Sequence, residues 1–362
     1  FSTSMYAYNR LDLTRSVDVI RVLARLLFII VLFVIDKPTL KYVGIANFIA
    51  AIVSCAFAFV YWKILTPKLK FSVKSFNWQV LRKIGNIGGW LIVNQLGYLL
   101  FLKIDLIVIN RFIGPEVGGE YAAVQQWNSL IRTVGTVLSG VIGPMILISF
   151  ANNKIQDVIR FGKLGVKFLA LSIGLLTGIV CGFSESLLTS WIGSDFAEFD
   201  SLLIIMLSTM VINLGILPLF PITVALNKVK IPGILTVILG IANLFLAIIF
   251  IAWFEKDIIG VALAGALVLT LKNGIFIPLY VAYILKVNWM TFYKPLANGI
   301  LVFGLAFTLS IFINHCFFTS SWIKLLLYFA VVAVCCSFVI WFFLFKKADK
   351  QLLLGLIPKF RS

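Results

Sequence analysis

Charge is scarce in this chain of 362 residues: Asp, Glu, Lys and Arg make up 12% of it, against 61% hydrophobic. A soluble fold of this length needs a much larger polar shell, so that class is excluded. Histidine occurs once, as His315, and the five cysteines (Cys55, Cys181, Cys316, Cys335, Cys336) lack metal-ligand spacing. They read as small apolar residues. Neither a Gly-x-Ser-x-Gly nor a His-Glu-x-x-His motif is present, and the loops are too short to carry a catalytic carboxylate pair. No enzymatic activity, cofactor or metal site is therefore expected. The apolar runs also lack period-2 alternation, which argues against a membrane β-barrel.

What is present is a series of long apolar runs. Lipid offers the backbone no hydrogen bonds, so such runs must cross it as helices. Ten spans are expected, near 17–35, 42–62, 86–113, 121–149, 164–182, 201–223, 231–253, 258–285, 296–314 and 322–345. The fold class is an all-α polytopic membrane protein. The net charge of +17 is spread so as to argue against nucleic acid. Twenty basic residues fall on alternate connections that include both ends of the chain, and five on the connections between them. By the positive-inside rule the basic side, with both termini, faces the cytoplasm. Two basic segments on that side, 68–83 and 346–361, mix Lys and Arg with Phe, Trp and Leu. Both read as interfacial helices on anionic lipid.

A few ionisable groups fall inside the spans, where charge is costly unless it faces protein or water. Arg132 lies about 17 Å inside its expected span at 1.5 Å per residue, too deep to snorkel. Its guanidinium suits phosphate or carboxylate, and the plainer alternative is a structural pair with Asp105. Gln125 and Asn128 precede Arg132 by seven and four residues and share its helix face. Lys103 and Asp105 project about 200° apart, so one should line an interior and the other pack against a neighbour. Asp105 could also take a proton or a cation during transport. Lys272, beside Asn273 and Gly274, interrupts the eighth span and would add a second cation at the depth of Arg132. Arg21 and Arg25 share a face near the cytoplasmic side; snorkelling explains Arg21, while an anion entrance would explain both. Asn94, Gln95, Gln126 and Trp127 add amide and aromatic groups that suit sugars, or serve as interhelical glue.

The run Lys103-Ile-Asp-Leu-Ile-Val-Ile-Asn-Arg-Phe-Ile-Gly-Pro-Glu-Val-Gly-Gly-Glu-Tyr-Ala resembles a stretch of the bacterial Wzx-type O-antigen flippases. These are members of the superfamily of multidrug, oligosaccharidyl-lipid and polysaccharide exporters. The segments Tyr8–Leu13 and Leu188–Asp195 resemble family patterns too. The resemblance implies two facing six-helix bundles in an inverted V, followed by two extra helices. It places four helices ahead of Phe1, which is not a methionine. On that scheme residues 1–67 end the first bundle, 68–84 form a cytoplasmic amphipathic linker, 85–286 form the second bundle, and 287–362 hold two extra spans and a basic tail. The implied activity is alternating-access transfer of undecaprenyl-diphosphate-linked oligosaccharide across the bacterial inner membrane. The family carries cations in its central cavity. The resemblance assigns that role to Arg132 and, less directly, to Lys272, with Lys103, Asp105, Arg25, Gln125 and Asn128 completing the expected cavity. Partners would be the lipid-linked glycan, membrane lipids and other polysaccharide-assembly membrane proteins. A multidrug exporter, a lipid exporter of the same superfamily and a membrane glycan polymerase are the competing readings.

Overall fold

The computed structural model describes residues 4, 5, 8, 10–35, 37–67, 77–253 and 257–345. The tail 346–362 and most of the expected linker, 68–76, lie outside the described residues. The described residues are almost wholly helical, without strands. Nine of their helices are long and apolar enough to cross a membrane, one fewer than expected. The exception is α1 (Leu11–Ile35), a continuous helix on which Arg15, Asp18, Arg21 and Arg25 raise the charge.

The chain divides into two compact units, Phe1–Trp78 and Gln79–Ser362. In the first, α1 packs against α2 (Leu40–Leu65), which buries Ala46, Ala50, Ser54 and Ala58 along one face. That four-residue spacing is a stripe of small side chains, which lets two helices lie close.

The second unit holds the remaining helices. α3 (Trp78–Phe112) turns at Gly114 into α4 (Pro115–Gly140), and α5 (Ile142–Ala151) continues it after a break at Val141. Gly114 has φ 149°, a backbone setting that side-chain-bearing residues rarely adopt, and Pro115 then opens α4 with a φ already suited to a helix. α6 (Ile155–Gly182) is the core of the unit, buried along most of its length. It lies along α14 (Tyr293–Cys316) at very short range. A Cβ on Gly178 would come 2.7 Å from the carbonyl oxygen of Phe303, so only glycine fits there. The cap α7 (Ser184–Trp191) is tied to α14 by a hydrogen bond from Ser186 Oγ to Asn314 Oδ1.

The expected sixth span is broken. It consists of α8 (Asp200–Ser208), α9 (Met210–Gly215), a 3-10 turn and α10 (Phe220–Ala225), with Pro218 and Pro221 at the breaks. α11 (Lys230–Trp253) follows. The eighth span is interrupted as well. α12 (Ile258–Thr270) passes into a π-helical turn, Leu271–Phe276, before α13 (Ile277–Ile284). α15 (Trp322–Val339) likewise ends in a π turn, Ile340–Leu344.

Candidate functional site: a cationic cavity in the second unit

Helix periodicity assembles one polar cavity of about 390 Å³ in the second unit. α3 contributes Tyr98, Phe101 and Asp105, spaced i, i+3, i+7 and hence on one face. α4 contributes Tyr121, Gln125, Asn128, Ser129, Arg132 and Thr136, another single stripe. The opposite wall comes from Met206, Thr209, Met210 and Asn213 around the break between α8 and α9. The space exists because α12 faces it with small residues, Ala262, Gly265 and Ala266.

Arg132 lies near the middle of the long helix pair Pro115–Ala151. Its Nη1 donates to Tyr98 Oη at 2.6 Å and its Nη2 to Asn128 Oδ1 at 3.4 Å, with Met210 Sδ at 3.8 Å. The Tyr98 ring centroid is 5.5 Å from Cζ, adding a cation–π contact worth on the order of 1–2 kcal/mol where water is excluded. Arg132 Nε is buried and has no partner. No carboxylate pairs with Arg132 among the described residues. The alternative of a structural pair with Asp105 is thus not what the geometry shows. Asp105 instead accepts a hydrogen bond from Tyr121 Oη at 3.0 Å, and its Oδ1 is buried without a partner. Asn243 of α11 buries both side-chain amide atoms unpartnered. Asp105 and Asn243 flank Gly265, where an added Cβ would meet Asp105 Oδ2 at 3.5 Å and Asn243 Oδ1 at 3.8 Å.

Five of the expected residues, Arg132, Lys103, Asp105, Gln125 and Asn128, line this one cavity. Lys103 corrects the expectation that only one of Lys103 and Asp105 would reach the interior. Asp105 is buried in the wall, while Lys103 is exposed and reaches the cavity along its four-carbon stem. Lys272 is a second correction. It is not a lining residue: it is buried at 3% exposure, with Nζ 5.9 Å from the ring centroids of both Phe101 and Phe220. The reason is local. In an uninterrupted α-helix Lys272 would follow Leu269 at i+3, on the stripe that faces the cavity. The π turn bonds i to i+5 and winds less per residue, which carries Lys272 off that stripe. Arg25 lies on α1 of the first unit, where it is exposed, so the cavity of the second unit is built without it.

Several residues were not anticipated: Tyr98, Tyr121, Ser129, Thr133, Thr136, Thr209 and Asn213. Of the four on α4, Tyr121, Ser129 and Thr136 stand at i−11, i−3 and i+4 from Arg132, so extending its helical face would have found them; Thr133, at i+1, projects about 100° away. Trp127 turns away and packs edge-on against Trp191, with centroids 5.7 Å apart. Asn94 accepts a hydrogen bond from Thr236 on α11 at 2.8 Å, an interhelical tie rather than a cavity group.

Comparison with known proteins follows the same lines. Residues 8–149 match the family described as "Polysaccharide biosynthesis protein". That segment includes α3, α4 and Arg132. Over 354 residues it is 29% identical to "Uncharacterized membrane protein EpsK" of Bacillus subtilis (strain 168), an alignment covering 98% of this chain and 70% of that protein. Its fold is similar to that of "Lipid II flippase MurJ, inward closed conformation", with a TM-score of 0.59 at 18% identity over 91% of this chain and 67% of that one. The expected likeness to polysaccharide-assembly membrane proteins agrees with the family match, and the exporter-type helical fold agrees with the likeness in fold.

Proposed function

We propose that this membrane protein serves polysaccharide biosynthesis as a flippase, moving an oligosaccharide joined to a polyprenyl diphosphate, such as an O-antigen repeat unit, across the bacterial cytoplasmic membrane by alternating access. The observation that carries this reading is Arg132, an intramembrane guanidinium without a carboxylate partner among the described residues, set among hydroxyl and amide groups. A charge held this way stays costly until an anion arrives. A diphosphate supplies that anion, and Tyr98, Gln125, Asn128, Thr133 and Thr136 offer the donors and acceptors that sugar hydroxyls require. The likeness in fold to a lipid II flippase supports a lipid-linked cargo. On this reading the protein transports rather than catalyses, and both ends of the chain lie on the cytoplasmic side.

One observation favours a second reading. Asp105 lines the same cavity with no basic partner among the described residues, which suits an organic cation and hence multidrug export.

Complementation of a flippase-null strain separates the readings, with protein abundance measured alongside. Arg132→Ala is expected to lower surface glycan by roughly a hundredfold at unchanged abundance, the loss of about 2.7 kcal/mol of anion stabilisation. Arg132→Lys keeps the charge but not the fork and should retain part of the activity. Normal glycan from Arg132→Ala refutes the assignment. A fall in abundance that Asp105→Ala reverses would make Arg132 a structural residue, and glycan-independent efflux of ethidium would favour the second reading.

A further inference from the structure

Lys272 is unusual for a lysine buried inside a membrane protein. Among the described residues it has no hydrogen bond or ion pair, and its ammonium lies 5.9 Å from the centroids of both the Phe101 and Phe220 rings. Two ring faces do not replace the hydration or the anion that an ammonium loses on burial, so packing alone gives no reason for the charge to be there. Its setting supplies one. Phe101, one of the two rings, also lines the cavity that contains Arg132. Lys272 stands on the π turn Leu271–Phe276, and residues on either side of Lys272 connect to the cavity wall. Leu269 precedes it on the lining stripe of α12. Asn273 follows it and donates through Nδ2 to Oδ1 of Asn213, a lining residue, at 3.3 Å. A π turn is an α-helix with one residue extra, and such turns occur inside helices mostly at functional positions. If the turn tightens to α geometry, Lys272 moves toward the stripe of Ala262, Gly265 and Leu269, which already faces the cavity.

We propose that Lys272 is a stored second cation, parked behind Phe101 and delivered into the cavity beside Arg132 when that ring swings aside and the π turn tightens. Phe101 is then a positioning residue, and the anionic part of the cargo draws the ammonium out of its aromatic slot. A cavity with one fixed and one deliverable cation can release its cargo as well as hold it: withdrawal of Lys272 weakens the grip on a diphosphate without moving Arg132. This inference rests on the reading above that the cargo is a polyprenyl diphosphate.

Two experiments on the full-length protein test it. The first needs no cargo. With the five native cysteines replaced by alanine, Lys272→Cys should react slowly with an aqueous cationic methanethiosulfonate. Phe101→Ala should speed that reaction by roughly tenfold or more, as expected when access to a thiol opens, and Phe101→Trp should not. A cysteine at Leu214, 1% exposed in the core of the same unit, reports on general loosening and should stay unreactive. An unchanged rate at position 272, or an equal rise at both positions, overturns the role of Phe101. The second is glycan export. Lys272→Gln should lower export at normal abundance and Lys272→Arg should restore it; normal export from Lys272→Gln overturns the delivery of a cation. Failure of the unmodified protein to complement would refute the flippase reading itself, while the thiol measurement would still decide whether Phe101 closes the slot.

Discussion

Arg132 is held at two nitrogens and left open at the third. Tyr98 takes Nη1 and Asn128 takes Nη2, while Nε is buried without a partner. This fixes the plane of the guanidinium before any ligand arrives, which lowers the ordering cost of binding an anion. Tyr98→Phe isolates that contribution, because it removes the acceptor oxygen and keeps the ring. Hydrogen bonds to charged groups contribute about 1.5–3 kcal/mol, so export should fall roughly ten- to a hundredfold, with abundance unchanged. Export equal to wild type from Tyr98→Phe would show that the hydroxyl does not orient Arg132. Arg132 itself was legible in the sequence from depth alone. Tyr98 was not, since a tyrosine 34 positions away becomes relevant only once α3 and α4 lie side by side.

At the scale of elements, α6 and α14 form the tightest helix pair in the second unit, and the approach is set by glycine. A Cβ on Gly299 would lie 2.5 Å from the carbonyl oxygen of Ala170, a backbone atom that cannot turn away. Gly299→Ala therefore forces the helices apart. Overpacking of this kind costs about 1–3 kcal/mol, and the variant should show a lower melting temperature in detergent and reduced abundance. A melting temperature equal to that of the parent would mean the interface is looser than this geometry implies. Breaks in the helices were only partly legible. Pro218 and Pro221 announce the interruptions of the sixth span, because proline lacks the backbone donor and clashes with the preceding turn. Asn273 and Gly274 mark the interruption at Leu271–Phe276, but not its π form, and placing Lys272 on the lining stripe missed the change in winding. Lys167 is a parallel case: its position near the end of a span suggests snorkelling, yet it is buried with Nζ 5.3 Å from the Phe345 ring centroid.

For the whole molecule, the distribution of basic residues assigns the two faces of the membrane. On the orientation proposed above, Ser194, in the exposed segment after α7, would lie outside, and Asn153, between α5 and α6, in the cytoplasm. In a variant without native cysteines, Ser194→Cys should react with an impermeant maleimide on intact cells, and Asn153→Cys only after permeabilisation. The reverse pattern would invert the protein in the membrane. Both positions are exposed and lie outside the long helices.

Composition and patterning were enough to determine the membrane setting, the helical class and the approximate order of the spans. Those properties follow from the cost of exposing backbone polar groups to lipid, which every long apolar run must meet by itself. The stripe of Gln125, Asn128 and Arg132 was equally legible, since residues on one helix share a face through local geometry alone. Only the tertiary structure decided what that stripe faces. It set Tyr121 against Asp105, left Arg132 without a carboxylate, and used the small residues of α12 to open space between them. It also placed Lys272 behind Phe101, because one widened turn rotates a side chain in a way that residue spacing cannot encode.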